Sequence, residues 1–348
     1  MRNAKYLLSI LPGLAAIAGN VLGGYYSALC IVIVLGVFAA TEWFLGKDVS
    51  NEHSEPRDFF PEFIVYLNVL VFTGVWVSLL LGLHFEWLQG SSVWLAAVSS
   101  GIAAGNCGII PAHELIHKAN PVKQWLGKYL LTGSGNVYFH IHHLRVHHRF
   151  VGTHKDSATA RRNESVYSFF LRTTAGQFSE AWESEANRLR KMGKSAWGMG
   201  NQILRNCLWQ LFIGCLVFWQ LGITGLAVLG VYALTANFLL EYVNYIEHYG
   251  LYRAETERVN ELHSWNSDSN ISRYMLIDLS RHADHHYFAS KPYHTLNTYE
   301  NAPTLPGGYA ALFFPALVPP LWRALVHPRL DAWEKNREQI KPAHAESI

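Results

Sequence analysis

The histidines of this chain recur at spacings that suit a transition-metal site. P-A-H-E-L-I-H-K covers 111–118, and H-I-H-H-L-R-V-H-H-R-F covers 140–150. N-Y-I-E-H-Y-G follows at 244–250 and R-H-A-D-H-H at 281–286. A neutral imidazole ring binds transition metals at physiological pH, and residues four apart share one face of a helix. We therefore expect each pair with that spacing to bind one ion, namely His113 with His117, His143 with His147, and His282 with His286.

The number of candidate ligands predicts two metal ions. A chain with 18 histidines in 348 residues contains about one H-x-x-x-H by chance, so the first pair alone carries little weight. The denser H-x-x-x-H-H and H-x-x-H-H stretches are much rarer, and a structural zinc site would use only four ligands, usually including cysteine. One ion takes about four to six ligands. The candidates number nine: His113, His117, His143, His147, His148, His248, His282, His285 and His286.

Three acids stand beside these histidines and are candidates for the catalytic site. Glu114 and Glu247 adjoin candidate ligands, and Asp284 lies within the last stretch. A carboxylate that accepts a hydrogen bond from the second ring nitrogen of a ligand fixes its tautomer and raises its basicity. We expect this role for all three, with direct metal ligation by Glu247 as an alternative.

Six apolar stretches are long enough to cross a membrane as helices. They cover about 5–22, 25–45, 63–83, 92–111, 206–222 and 224–246, where a crossing needs roughly 20 residues. Half of all residues are hydrophobic and only 16% are charged, which is low for a soluble domain. The first stretch is interpreted as an uncleaved span, since a second follows directly after Gly23 and Gly24. The chain thus predicts an all-α membrane protein with six transmembrane helices in a single domain over 1–348.

Lysine and arginine are confined to the N-terminus and three further segments, which predicts the orientation. The segments are 46–61, 118–205 and 251–348, while the turns near 23, 88 and 223 carry neither residue. By the positive-inside rule, these segments and both termini face the cytoplasm. All the histidine groups lie within 112–205 and 247–348, on the cytoplasmic side of the membrane or at its boundary. We therefore expect a cytoplasmic histidine-rich cap that holds the metal site.

Charge and cysteine content exclude several classes of protein. The net charge of +2 is too small to indicate nucleic-acid binding. The four cysteines form no C-x-x-C pair, which excludes a disulfide framework and an internal iron–sulfur centre. A redox reaction would therefore need a separate electron carrier. A metal transporter is disfavoured, because the apolar stretches hold few ionisable residues, Glu42 and Glu241 near their ends.

The four histidine stretches resemble the histidine boxes of the integral-membrane non-haem diiron alkane and xylene monooxygenases, within the fatty acid desaturase/hydroxylase superfamily. The boxes in this chain read H-E-L-I-H-K, H-H-L-R-V-H-H, N-Y-I-E-H-Y-G-L and R-H-A-D-H-H. Similarity extends to L-H-S-W-N-S-D at 262–268, P-Y-H-T-L at 292–296 and A-P-T-L-P-G-G-Y at 302–309. The resemblance covers most of the chain from the fourth apolar stretch onward.

This resemblance implies a six-span fold with two iron ions bound by the nine histidines. It implies O2-dependent hydroxylation of a terminal methyl group of a hydrophobic substrate, with a medium-chain n-alkane as the first expectation. It also implies electrons from a rubredoxin or ferredoxin-type carrier with its NAD(P)H-dependent reductase. The expected location is a bacterial inner membrane, as a multi-pass protein with the active site on the cytoplasmic side.

The second box departs from the pattern of the alkane enzymes at two positions. His142 occupies the position of the usual glutamate, and Val146 that of the usual glycine. The first change replaces a carboxylate with a neutral ring, and the second adds bulk near the metals. Both bear on the substrate rather than on the fold or the oxygen chemistry.

The sequence alone does not decide the substrate or the surface that binds the electron carrier. An aromatic methyl group is an alternative to an alkane, as is a fatty acid that is desaturated, hydroxylated or decarboxylated. A carboxylate substrate needs a fixed cation near the site, for which Arg145, Arg149 and Arg281 are candidates. An acidic carrier would be attracted to the basic face around the second box, where Arg161 and Arg162 join Arg145 and Arg149.

Overall fold

Helices make up the regular structure of this protein in the computed structural model, which describes residues 2–51, 55 and 58–336. These residues form no strand beyond two isolated bridges, Lys47 to Ser269 and Asn266 to Thr304. The prediction of an all-α protein is therefore confirmed. The predicted cytoplasmic segments 46–61 and 247–348 extend into 52–54, 56–57 and 337–348, which lie outside the described residues. The first four apolar helices are α1 (Asn3–Leu22), α2 (Gly24–Thr41), α3 (Phe59–His84) and α4 (Ser91–Ile116).

The next segment forms three helices, one of which carries the second histidine stretch while the other two flank it. They are α5 (Pro121–Gly133), α6 (139–150) and α7 (Val166–Lys191). Asn120 caps the N-terminus of α5, because its side chain accepts hydrogen bonds from the backbone N–H groups of Val122 and Lys123. α6 carries the histidines of the second stretch. Its position therefore decides where those rings meet the others.

The helix Gln202–His248 consists of two helices that meet at Gly222. Its 47 residues would measure about 70 Å if straight, more than twice the hydrocarbon core of about 30 Å. Gly222 has φ 61° and ψ −160°, a conformation that glycine adopts without a steric penalty. The chain then runs back, since a Cβ on Gly214 would stand 3.7 Å from the Leu226 side chain. The two halves are termed α8 (202–221) and α9 (223–248).

The apolar helices match the predicted stretches in position. Among the described residues, five helices are long and apolar enough to cross a membrane when Gln202–His248 is counted as one. The break at Gly222 falls where the sequence predicts a turn between 206–222 and 224–246. The protein is therefore a multi-pass membrane protein, and the number of six crossings stays a prediction.

Close packing of α4 against α9 brings their C-terminal ends together. α4 is the most deeply buried of the apolar helices. A Cβ on Gly101 would stand 2.6 Å from Thr235 Cβ, and one on Gly105 would stand 3.3 Å from Leu239 Cδ1. Small residues four apart allow two membrane helices to approach this closely. The first histidine pair, at the end of α4, therefore lies beside the histidine that ends α9.

The C-terminal part of the chain folds over the ends of these helices. Glu42, directly after α2, ties it to the bundle, because its carboxylate accepts hydrogen bonds from the Ser269 hydroxyl, from the backbone N–H and hydroxyl of Ser272, and from the backbone N–H of Ala311. The last histidine stretch is thereby held above α4 and α9. The helices of this part are α10 (Asn270–Met275), α11 (His282–Tyr287), α12 (Tyr309–Leu317) and α13 (Pro319–Asn336).

Glu185 in α7 joins three helices next to the second histidine stretch. Its buried carboxylate accepts hydrogen bonds from Arg145 in α6, from Arg188 in α7 and from the first backbone N–H of α8, at Gln202. Although burial opposes ionisation, the bonds from Arg188, Gln202 and Arg145 lower the pKa of Glu185 to about 2. An ionised carboxylate at a helix N-terminus is stabilised by the helix dipole. Glu185 therefore fixes α6 relative to α7 and α8.

Candidate metal centre

Four helices supply histidines to one buried cluster. The end of α4 contributes two, α6 three, α9 one and α11 three. Their ring nitrogens form two groups, and within each group the ligand atoms all lie within 4.8 Å of one another. The five-histidine group consists of His113, His117, His143, His148 and His285, and the four-histidine group consists of His147, His248, His282 and His286. Every one of the predicted ligands belongs to one of the two groups.

Hydrogen bonds alone do not explain the contacts between Nε2 atoms in the five-histidine group. His143 Nε2 lies 3.0 Å from both His117 Nε2 and His148 Nε2, and His148 Nε2 lies 3.1 Å from His285 Nε2. A neutral ring nitrogen either donates one proton or offers one lone pair, so it does not bond to two such neighbours at once. Two nitrogens bound to one metal at about 2.1 Å and at right angles are about 3.0 Å apart. The spacing fits lone pairs that converge on a cation.

The four-histidine group shows the same spacing. His282 Nε2 lies 3.2 Å from His248 Nε2 and 2.9 Å from His286 Nε2. His113 Nε2 and His147 Nε2, one in each group, are buried and have no hydrogen-bond partner within the described part of the chain. A buried polar atom without a partner costs roughly 1–3 kcal/mol. A metal bound at each group would remove that cost.

Burial keeps the rings in the neutral form that binds metal. Burial and, to a lesser extent, Lys118 lower the pKa of His117 to about 3. Burial first and neighbouring rings second hold the pKa of the ligands in α6 and α11 well below its usual value, in His143, His148, His282, His285 and His286. A neutral ring keeps its lone pair at physiological pH.

One predicted pairing of ligands is wrong. His143 belongs to the five-histidine group and His147 to the four-histidine group, although they are four residues apart. The reason is that α6 is π-helical over 143–147, where hydrogen bonds join residues five apart instead of four. His148, five residues after His143, joins the same group instead. The other two predicted pairs each share one group, His113 with His117 and His282 with His286.

Two of the acids predicted to support ligands contact other groups in the described structure. Glu114 Oε1 lies 2.6 Å from Lys118 Nζ. Asp284 is buried and accepts hydrogen bonds of 2.6 Å from Lys291 Nζ and from the Tyr299 hydroxyl. These contacts hold the segments that carry His113, His117 and the ligands of α11. A direct bond from either acid to a ligand ring stays a prediction.

Glu247 lies at the edge of the four-histidine group. Its Oε2 is 3.2 Å from His282 Nε2, the nitrogen that faces the metal position, and its Oε1 accepts a hydrogen bond of 2.8 Å from the Tyr309 hydroxyl. The Glu247 carboxylate therefore lies near Nε2 of the His282 ring, on the side of the metal position, and not near Nδ1 on the opposite side of the ring. This placement suits metal ligation as well as support of a ligand.

Asp156, which is not among the predicted residues, lies behind a ligand ring. Its Oδ2 accepts hydrogen bonds from His147 Nδ1 at 2.9 Å and from the Thr159 hydroxyl at 2.8 Å. Its Oδ1 accepts a bond of 3.1 Å from the backbone N–H of Ala158. Such a carboxylate orients the ring and raises its basicity. The only sequence signal is an acid nine residues after a ligand, which predicts no contact because a loop intervenes.

His142 and Val146, the two departures from the family pattern, lie away from the interior cavity. His142 Nε2 is 2.9 Å from Glu180 Oε2 in α7 and 3.7 Å from Asp156 Oδ1. α7 thus places a carboxylate beside the second box. Val146 is buried, and neither residue lines the apolar cavity. Neither departure is therefore placed where it would contact a molecule in that cavity.

An apolar cavity of about 90 Å³ inside the bundle reaches both histidine groups. His113 and His143 line it from one group, and His282 lines it from the other, next to Glu247. No lysine or arginine among the described residues lines this cavity. It fits an uncharged, apolar molecule whose end lies against both groups. Hydrocarbon side chains from several helices form much of the rest of its wall, including Val34, Ile102, Ile109, Leu239, Leu276 and Phe313.

A polar groove of about 560 Å³ reaches the groups from the side of the 253–259 loop. His148 of the five-histidine group and His286 of the four-histidine group line it, together with Arg149 and Arg258. Both arginines are exposed. Each histidine group is thus open to the aqueous side through one of its ligands.

Two of the arginines predicted to attract a carrier are engaged in ion pairs. Arg145 NH1 lies 2.7 Å from Glu185 Oε2, and Arg162 pairs with Asp331. Their positive charges are therefore largely offset within the protein. The polar groove with Arg149 is a basic surface that adjoins histidines of both groups, and the wider face around Arg161 stays a prediction.

Comparison with known proteins agrees with this architecture. Residues 89–316 match the fatty acid desaturase family. The alkane 1-monooxygenase 1 of Pseudomonas aeruginosa is 35% identical over 328 residues, covering 90% of this chain and 85% of that protein. The alkane 1-monooxygenase 2 of Alcanivorax borkumensis is 32% identical, with 89% and 84% covered. The xylene/toluene monooxygenase hydroxylase component XylM of Pseudomonas putida is 27% identical, with 92% and 88% covered.

Proposed function

The chain belongs to the fatty acid desaturase family, in the group of alkane and xylene monooxygenases, and from that premise we propose that it is a membrane monooxygenase. It uses O2 to hydroxylate a terminal methyl group of a hydrophobic substrate, with a medium-chain n-alkane as the first expectation. One observation carries the proposal, an apolar cavity that ends on histidines of both metal-binding groups. Such a cavity holds one end of a hydrocarbon at the metal positions and excludes bulk water.

We propose one iron ion in each histidine group. The five-histidine group nearly completes the sphere of one ion, whereas the four-histidine group leaves more positions open and has Glu247 beside it. Neither group contains a cysteine, which a structural zinc site usually has. Bound iron supplies the O2 activation that attack on an unreactive C–H bond requires.

The protein's own side chains hold the ligands and the substrate in place. Asp156 keeps the Nδ1 proton of His147, so that Nε2 of this ring faces the metal position. Tyr309 holds the Glu247 carboxylate at the edge of the cavity by its hydrogen bond. The hydrocarbon side chains of the wall orient the substrate along its length, because they pack against its chain and leave its end at the histidines.

A fatty acid substrate is less well supported than a hydrocarbon. A carboxylate needs a fixed cation, and the described lining of the cavity has none. Arg145 is paired with Glu185, and the buried Arg281 is bonded to Asp268 and to backbone carbonyls. An aromatic methyl group remains compatible with the cavity, since it is also uncharged.

Electrons are proposed to enter through the polar groove. A rubredoxin or ferredoxin-type carrier, reduced by its NAD(P)H-dependent reductase, would approach the ligands there, because His148 and His286 line the groove. Such carriers are typically acidic, and Arg149 and Arg258 are exposed beside those rings. Opposite charge raises the rate of encounter between partners.

The membrane orientation is part of the same proposal. The histidine cap and the groove are assigned to the cytoplasmic side of a bacterial inner membrane, where reduced carriers are available. Support comes from the distribution of lysine and arginine, which follows the positive-inside rule.

Iron analysis combined with product identification tests this function. Membranes that contain the protein, with rubredoxin, reductase and NADH, are given octane, p-xylene or lauric acid in separate reactions. We expect about two irons per chain and 1-octanol as the main product. A protein that binds zinc alone and retains full activity would contradict the iron assignment, and oxidation of lauric acid alone would contradict the substrate class.

Two alanine variants make the test specific to the histidine groups. His143→Ala removes a ligand of the five-histidine group that also lines the cavity. His154→Ala removes an exposed histidine outside both groups. We expect the first variant to lose turnover and iron, and the second to retain both.

A further inference from the structure

Two glutamates are buried where apolar helices meet the rest of the protein, and their hydrogen bonds indicate opposite protonation states. Glu42 accepts four hydrogen bonds that are shared between its two oxygens, three on Oε1 and one on Oε2. An ionised carboxylate accepts on both oxygens and donates nothing. Glu42 is thus a fully bonded anion.

Glu241 in α9 is bonded through one oxygen only. Its Oε2 accepts from Gln177 Nε2 at 2.8 Å, from Asn244 Nδ2 at 3.0 Å and from the Thr173 hydroxyl at 3.4 Å. Its Oε1 is buried and lacks a hydrogen-bond partner in the described structure. The side chain is 1% exposed, so bulk water does not supply one.

Gln177, whose side-chain amide bonds Glu241, also has a buried oxygen without a hydrogen-bond partner in the described structure. Gln177 donates to Glu241 Oε2 and to the Thr173 hydroxyl, while its own Oε1 is buried and without a partner. A carboxylic acid and a primary amide satisfy each other in a ring, where the amide N–H donates to one acid oxygen and the acid O–H donates to the amide oxygen. One proton on Glu241 Oε1 supplies the donor that such a ring needs, whereas an ionised carboxylate supplies none and leaves both oxygens as acceptors without a donor.

The surroundings of Glu241 connect it to the cavity. The titratable groups that act on it from neighbouring elements are Tyr138 and His147. Asn244, which donates to its Oε2, lines the apolar cavity together with Glu247. On the opposite side, Glu180 follows Gln177 by three residues on α7, and its side chain is 28% exposed.

We propose that Glu241 is a protonated carboxylic acid that supplies one of the protons consumed in the oxidation, on the side of the apolar cavity that its neighbour Asn244 lines. This role rests on the proposed function. Hydroxylation converts a C–H bond, one O2, two electrons and two protons into an alcohol and water, and the carrier provides the electrons. The Oε1–H bond of Glu241 breaks, its proton ends in the water formed, and the carboxylate regains a proton from the aqueous side past Glu180.

Infrared spectroscopy tests the protonation state without any substrate. The carbonyl stretch of a protonated carboxyl group is resolved from that of a carboxylate. We expect a protonated-acid band in the wild-type spectrum that disappears in Glu241→Gln and persists in Glu42→Gln. A spectrum that is unchanged by Glu241→Gln would overturn the protonation state.

Turnover of two variants at Glu241 tests the supply of the proton. Glu241→Gln keeps the shape and places an N–H where the acid O–H stands, so it is expected to fold well but has no proton to release. Glu241→Asp keeps an acidic proton on a shorter arm and packs less well. We expect Glu241→Gln to lose about 100-fold in turnover, a typical effect of a general acid, and Glu241→Asp to retain more turnover despite a lower melting temperature.

The order of the two variants separates the proposal from a structural role. A structural role predicts that the better-packed glutamine variant is the more active one, and that order would overturn the supply of the proton. Iron content is measured in both variants and is expected to equal that of the wild type. If the wild-type protein oxidises no hydrocarbon, the proposed function fails and the supply role fails with it, while the infrared band still decides the protonation state.

Discussion

Replacing Asp156 by Asn is expected to weaken metal binding in the four-histidine group alone. Asp156 Oδ2 accepts from His147 Nδ1 and Thr159, and Oδ1 accepts from the backbone N–H of Ala158. Asparagine has the same shape but carries an NH2 group in place of one oxygen. Whichever way the amide turns, its NH2 group faces a donor, and the negative charge behind His147 is lost.

The expected size of the effect follows from this geometry. Loss of a carboxylate behind a metal-bound histidine typically reduces metal affinity 10- to 100-fold. At about 1.4 kcal/mol for each factor of ten, this is about 1.4–2.7 kcal/mol. Asp156 lies behind a ligand of the four-histidine group, so the five-histidine group is expected to retain its metal.

Iron content after dialysis against increasing chelator concentrations measures the change. We expect the wild type to lose its two irons together or at similar concentrations, and Asp156→Asn to lose one iron at a concentration 10- to 100-fold lower. Glu180→Gln is the matched control, because Glu180 bonds His142, which belongs to neither group. Equal loss of both irons in Asp156→Asn, or no change at all, would refute the reasoning.

Three further results are expected. His248→Ala should abolish turnover while membrane insertion, measured by extraction of membranes with carbonate, stays as in the wild type, because insertion depends on apolar helices and flanking charge. Charge reversal of Arg149 and Arg258 should raise the KM for the carrier but not the KM for the hydrocarbon, whereas charge reversal of the paired Arg162 should change neither. Electrostatic docking would be contradicted if carrier-limited turnover did not change with salt concentration between about 0.05 and 0.5 M. Glu185→Gln should lower the melting temperature at pH 7, because the depressed pKa of Glu185 stabilises the fold at pH values above its unfolded-state pKa of about 4.3. This stabilisation is lost as the pH falls towards about 2, so the difference in melting temperature from the wild type should shrink at pH 3.5. An equal difference at pH 7 and pH 3.5 would exclude a role of the Glu185 charge.

The apolar helices were predictable because each is specified by its own stretch of sequence. A run of about 20 apolar residues crosses a membrane as a helix whatever its neighbours do. The break at Gly222 was predictable for a similar reason, since two runs of that length cannot share one crossing. Ends were less certain: the second apolar stretch was predicted to reach 45, whereas α2 ends at Thr41. Glu42 accepts bonds from distant residues there, and no local pattern indicates that contact.

The histidines of the two groups were predictable as a set, but the carboxylate behind His147 was not. Histidines are uncommon, and dense clusters of them on one side of the membrane are rarer still, so all nine predicted residues fall in the two groups. Acids are common, and nearness in sequence to a histidine favoured Glu114 and Asp284. Among the described residues, Asp156 accepts a hydrogen bond from the Nδ1 of His147, which it reaches because the loop after α6 folds back. That path depends on contacts of the loop with the rest of the protein.

The division of the nine histidines between the two groups depends on one irregular turn. In a continuous α-helix, His143 and His147 would share a face, and His148 would point about 100° away from His147. The π-helical turn over 143–147 instead brings His148 to His143 and leaves His147 to meet the histidines of α9 and α11. One short helix thereby supplies both groups at once. His148→Ala is therefore expected to lower the metal content of the five-histidine group alone, and His147→Ala that of the four-histidine group alone, although the two residues are adjacent in sequence.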